Sequence, residues 1–142
     1  ENNYNYYLEV KKNLIKNKIN NVNLYNIKEE LNLKLDIDNK YISWKKDYDG
    51  KNFYNYVNQP NKIGKKFDLI FIDGECRNAC LDVSFELLKD DGMIVFDNTS
   101  RNIYKNKILS INKSYKVIFL TGPTPYSQTF DETAFIFKIK SN

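Results

Sequence analysis

The stretch FDLIFIDGECRNACLDVSFELLKDDGMIVFDNTSRNIY, residues 67–104, decides the fold. It opens with FDLIFID (67–73), a continuous apolar run bounded by charge, which reads as a buried parallel strand. Cys80 to Leu88 reads as a helix with Cys80, Val83, Leu87 and Leu88 on one face. Asp90-Asp91-Gly92 reads as a tight turn and MIVFD (93–97) as a second buried strand. Strand, helix and strand in that order predict an α/β fold with a parallel sheet.

Ligands of open parallel sheets bind at the carboxyl ends of the strands. The first run ends in Asp73-Gly74 and the second in Asp97-Asn98. Two strands one helix apart therefore bring three oxygen-bearing side chains to one rim. Hard cations such as Mg²⁺ take oxygen sets of this kind. The same residue types also cap helices and form turns, and both readings stay open.

Working outward, Tyr104 to Ile111 predicts a short helix, and Lys116 to Leu120 and Thr133 to Ile139 two further strands. Tyr126, Ser127 and Gln128 lie in the loop between those strands, as a lid over a substrate or as a plain polar loop. Toward the start, Tyr4, Tyr7, Val10 and Leu14 predict an amphipathic helix over 4–18, and Val22 to Ile27 a short strand. Leu31, Leu33, Leu35 and Ile37 alternate with polar residues, as a strand or hairpin would. Trp44, Phe53, Tyr54, Tyr56 and Val57 predict a helix that docks aromatics on the core. By length the chain is one domain, 1–142, with 28–66 as a variable insertion.

Composition narrows the function classes. The net charge is +4, and the positive excess lies before Phe67. A basic half can meet phosphate-rich partners, but no aromatic–basic motif accompanies it, which disfavours nucleic acid. The chain has two cysteines and no histidine, which excludes the usual zinc sites and every His-dependent hydrolase. If their segment is helical, Cys76 and Cys80 stand one turn apart, an awkward geometry for a disulfide, so free thiols in a reducing compartment are expected. With no signal peptide and no membrane-length apolar run, a cytoplasmic location without a membrane partner is expected.

Residues 67–104 resemble the fourth and fifth strands of class I, Rossmann-like, S-adenosylmethionine-dependent methyltransferases. In that family a strand ending in Asp leads to a helix, an LLK-type segment with an acidic-Gly turn, and a strand ending in Asp-Asn. The segment YKVIFLTGPTPYSQTFDETAFIFKI (115–139) resembles the family's last two strands, the final one antiparallel and lying between its fifth and sixth. The resemblance implies a Rossmann-like, mostly parallel sheet with a C-terminal antiparallel hairpin. It implies S-adenosylmethionine as cofactor and methyl transfer to a small-molecule acceptor. It implies Asp73 as a catalytic and cofactor-binding group, and Glu1, ahead of the first helix, as the acid that binds the cofactor ribose. Arg77, Asn98 and Arg101 become substrate contacts, the two arginines as anchors for an acidic acceptor. By similarity to the metal-dependent O-methyltransferases, Asp73, Asp97 and Asn98 become Mg²⁺ ligands.

The chain also departs from the pattern. Where those metal-dependent enzymes keep a basic Lys, three residues after the first Asp, this sequence has Cys76. None of its five glycines forms a glycine-rich cofactor loop. The family's first strand and that loop are expected before Glu1, and these 142 residues alone are expected to be inactive. The Asn/Asp-Pro-Pro-Tyr/Phe motif of amino-methylating nucleic-acid enzymes is absent. The alternative reading is a non-catalytic Rossmann-like binding module or a degenerate methyltransferase paralogue.

Overall fold

The first helix, α1 (Tyr4–Lys16), starts at Asn3, whose side chain accepts hydrogen bonds from the backbone N–H groups of Asn5 and Tyr6. It ends where Lys18 adopts a left-handed φ of 56° and the Ile19 N–H reaches back to the Leu14 carbonyl. That ending satisfies carbonyls the helix would otherwise leave open. The structure, a computed structural model, describes residues 1–31, 38–111, 113–125 and 128–139. The chain divides into two units, Glu1–Gln59 and Pro60–Asn142.

In the first unit the strand expected at Val22–Ile27 does not form. A strand needs a ladder of partners, and among the described residues the main-chain bonds to this stretch come from Glu1: it accepts from the Ile27 N–H, and its amino group donates to the Tyr25 carbonyl. Two short strands, β1 (Glu30–Leu31) and β2 (Lys51–Asn52), pair antiparallel. The rest of the alternating stretch, Leu33, Leu35 and Ile37, lies outside the described residues. A short helix, α2 (Tyr54–Asn58), follows, with Phe53 and Val57 buried. Phe53 sets its ring edge-on to Tyr48 and Tyr56, a favourable aromatic geometry. Of the aromatics expected to dock, Phe53 is buried, whereas Trp44 is 64% and Tyr54 49% exposed.

The second unit runs β3 (Phe67–Ile72), α3 (Arg77–Leu87), β4 (Leu88–Phe96), α4 (Asn102–Leu109), β5 (Tyr115–Pro123) and β6 (Phe130–Lys138). Its sheet has the order β3-β4-β6-β5. β3 and β4 pair in parallel, and β6 pairs antiparallel with both β4 and β5. The protein is therefore mixed α/β with a mixed sheet. The parallel pairing of the two apolar strands and the C-terminal antiparallel hairpin are as expected, and the described sheet has one parallel pairing and two antiparallel ones. The reason is the position of the reversed last strand. It lies inside the sheet, so it makes both of its neighbours' pairings antiparallel while β3, β4 and β5 all point one way.

One face of the sheet carries Ile70, Ile72, Ile94, Phe96, Ala134 and Ile136 against Leu81 of α3 and Tyr104 and Ile108 of α4. Full burial of such side chains stabilises by about 1.5–3 kcal/mol each. The other face differs. Leu69 is 56% and Phe71 61% exposed, which corrects the reading of 67–73 as a buried strand. β3 is an edge strand of the described sheet, and its odd-numbered residues point away from the helices.

Two local readings also change. Helix α3 begins at Arg77, not Cys80, and buries Arg77, Leu81 and Ser84, a stripe at spacings of four and three that Leu88 continues. Cys80, Val83 and Leu87 are only half-buried. Asp90-Asp91-Gly92 lies within β4 as an outward excursion: Leu88 pairs with Phe67, and pairing resumes at Met93 with Leu69. A Cβ at Gly92 would stand 2.8 Å from Leu88 Cδ1 and 3.0 Å from the Phe67 carbonyl oxygen, so a larger residue there would force Leu88 or the β3 main chain to shift. No helix among the described residues is long and apolar enough to cross a membrane.

Candidate functional site

The parallel pairing of β3 and β4 extends to their ends, where the Asp97 N–H donates to the Ile72 carbonyl at 3.1 Å. Asp73 and Asp97-Asn98 therefore share one rim, as the sequence suggested. What joins them is Arg77, in the first turn of α3. Its side chain is 9% exposed. Its Nε donates to the Gly74 carbonyl at 3.0 Å, and its Nη1 to the Asp97 carbonyl and Asn98 Oδ1, both at 2.7 Å. Its Nη2 donates to the Asp73 carbonyl at 3.1 Å and meets the Asp73 carboxylate at 2.8 Å. A guanidinium has five N–H donors, and these five acceptors match them in number. The aromatic face of Tyr104 lies 5.5 Å from the same guanidinium.

The backbone is strained at both strand ends. Cys76 has φ 48° and Asn98 has φ 59°. Asn tolerates that conformation better than most residues, whereas Cys has no such excuse. Asn98 then spends its side chain locally. Its Oδ1 faces Arg77, and its Nδ2 donates to Asp131 Oδ2 at 2.7 Å.

The loop after β4 is tied down residue by residue to the start of β6. Thr133 Oγ1 donates to Asp97 Oδ1 at 2.7 Å, and the Thr99 N–H to the Glu132 carbonyl at 2.7 Å. Thr99 Oγ1 donates to Glu132 Oε1 at 2.8 Å, and Ser100 Oγ to Asp131 Oδ1 at 2.5 Å. Lys105 pairs with Glu132 at 2.6 Å. Burial alone would raise the Asp131 carboxyl, but hydrogen bonds from Ser100, the Glu132 N–H and Asn98 outweigh it and hold the group below its ordinary range. Glu132 follows the same balance: burial pushes up, and Lys105 and Thr99 bring it down further.

Asp73 differs. Its side chain is 51% exposed. Partial burial pushes its carboxyl up; Arg77 opposes, Asp97 adds, Arg101 opposes, and the net direction is upward. Arg101, at the N-cap of α4, is exposed and lies 5.9 Å from the Tyr104 ring. Glu1 belongs to the first unit, where its Oε1 accepts from the Asn3 N–H at 2.7 Å. Cys76 and Cys80 are free thiols. Burial pushes both up to about 12, too high for a thiolate nucleophile at neutral pH. Of the lid candidates, Tyr126 and Ser127 lie outside the described residues, and Gln128 is exposed.

The expected Mg²⁺ ligands fit a divalent ion poorly. Asn98 Oδ1 and Asp73 Oδ1 already face the Arg77 cation, and Asp97 Oδ1 accepts from Thr133. Among the described residues no group of three or more His, Cys, Asp or Glu side chains is placed to hold a metal ion.

Sequence reasoning missed Thr99, Asp131, Glu132 and Thr133. The signal for them is topological. A reversed strand beside β4 must begin where β4 ends, which puts Asp131-Glu132-Thr133 on the rim. No family model and no curated protein matches the chain.

Proposed function

We propose that the chain is part of a Rossmann-like S-adenosylmethionine-dependent methyltransferase domain acting on a small-molecule acceptor. The observation that carries this reading is the sheet order β3-β4-β6-β5, with the reversed last strand inside and a half-exposed Asp73 at the end of β3. The likeness of residues 67–139 to the family's last four strands adds to it. When bound, the cofactor supplies an already activated methyl group, so the protein need only orient the acceptor and manage a proton.

The donor set at the rim suits polar hydroxyl or amine groups. A carboxylate accepts two hydrogen bonds, and Asp73 offers one at the mouth of the sheet. Its raised proton affinity also suits a group that takes a proton from an acceptor. Arg101, exposed at the N-cap of α4, suits an acidic acceptor. Neither role involves a metal, so chelation with EDTA is expected to leave binding unchanged.

A binding module without catalysis is the second reading. It is favoured by the way Arg77 and Asn98 spend their polar groups on each other and on neighbouring oxygens. Calorimetric titration of the native protein that contains this chain with S-adenosylhomocysteine tests the first reading. Saturable one-to-one binding supports it, and absence of heat at millimolar ligand overturns it. Binding without methyl transfer to any acceptor would favour the module.

A further inference from the structure

Arg77 is the one charged residue in the buried stripe of α3, where helical periodicity calls for an apolar side chain. Its five donors are directed at two segments that follow two different strands. We propose that Arg77 is the positioning residue of the rim: it clasps the end of β3 to the end of β4 and thereby holds the Asp73 carboxylate in one orientation. The proposal rests on the reading that Asp73 is the working group of the site.

The geometry at Nη2 supports the role. One nitrogen meets both the main-chain oxygen and the carboxylate of Asp73. Two bonds to one residue from a planar group fix the side-chain torsion between them. The other nitrogens anchor that fork. Nη1 is seated on Asp97 and Asn98, whose loop is tied to β6, and Nε on Gly74. Asp73 thus inherits the rigidity of a segment it does not touch through its own hydrogen bonds. A lysine at the same place would keep the charge but could not fill both ends of the fork. The strained Cys76 is the residue immediately before Arg77, and the strain is consistent with a turn shaped to deliver the guanidinium inward.

The test reads the orientation of Asp73 without ligand. Three-bond Hα–Hβ couplings of Asp73 are measured by NMR in the wild-type chain, R77K and R77Q, with the amide signals of β6 as the control for an intact fold. The proposal expects one dominant rotamer in the wild type, averaged couplings in R77Q, and values between the two in R77K. Averaged couplings in the wild type overturn it, as do wild-type couplings in folded R77Q. If R77Q does not fold, R77K decides by the same criterion. If neither folds, Arg77 is a structural residue of the core and the positioning role is wrong. Because no ligand is present, a silent titration with S-adenosylhomocysteine would sink the methyltransferase reading and leave the couplings to judge Arg77.

Discussion

The two strand ends that form the rim look alike in sequence and are built differently. After β4, each residue from Asp97 to Ser100 is hydrogen-bonded to Asp131, Glu132 or Thr133 at the start of β6. After β3, Asp73 is held by Arg77, and its carboxylate is half-exposed. The same residue type therefore has two uses. Asp97 is spent on the fold, and Asp73 is presented. Two aspartates at equivalent positions are not two equivalent site residues, and what separates them is the inserted strand that reaches one end and not the other.

Arg77→Gln should have the largest effect, because it releases both ends at once. The buried guanidinium leaves behind main-chain and amide acceptors with no replacement donor. Each such loss costs about 1–3 kcal/mol before relaxation, so a total of roughly 3 kcal/mol is expected. The denaturant midpoint should fall accordingly at unchanged slope. A loss under about 1 kcal/mol would mean that the two ends are not joined through this side chain.

Thr99→Val acts on the β4 end alone. Thr99 is fully buried and donates to a carboxylate, a class of hydrogen bond worth about 1.5–3 kcal/mol. A loss of about 2 kcal/mol is expected, with the Asp73 couplings unchanged. If those couplings average in Thr99→Val, the two ends are more tightly coupled than the contrast between them allows.

Acid should also act on the β4 end first. Asp131 and Glu132 have folded pKa values below their ordinary 3.8 and 4.5. Their contribution to stability is fully present above those ordinary values and is lost as pH falls through the lower folded ones. Asp73 has the opposite sign: its raised carboxyl costs stability above 3.8, and protonation removes that cost. Unfolding followed from pH 6 down to pH 2 should therefore show a loss that Asp131→Asn reduces and Asp73→Asn does not.

The sequence made much of this legible, for physical reasons that differ by residue. The strands at 67–73 and 93–97 and the shared rim follow from apolar runs ending in Asp, which any α/β sheet would place together. The burial of β3 was misread because a continuous apolar run looks the same in a central strand and in an edge strand. Arg77 was read as an anchor for an acidic acceptor and not as a buried clasp, since hydrophobic periodicity has no way to announce a buried guanidinium. Its role depends on carbonyl oxygens, which carry no sequence signal. Asp131 to Thr133 lie more than thirty residues from their partners, and the reversed strand expected beside β4 was their one signal, from which their place on the rim was not drawn. The strand expected at Val22–Ile27 had the right composition but, among the described residues, main-chain bonds to Glu1 and no ladder.

The most direct measurement is on Asp73 itself. Asp73→Asn removes a half-exposed charge and no core volume, so stability should stay within about 0.5 kcal/mol of wild type. In the native protein that contains this chain, melting and calorimetric titration with S-adenosylhomocysteine are measured side by side for wild type and Asp73→Asn. The account predicts an unchanged melting temperature and at least tenfold weaker binding. An unchanged melting temperature with unchanged binding would contradict it, leaving Asp73 as the turn residue that ends β3.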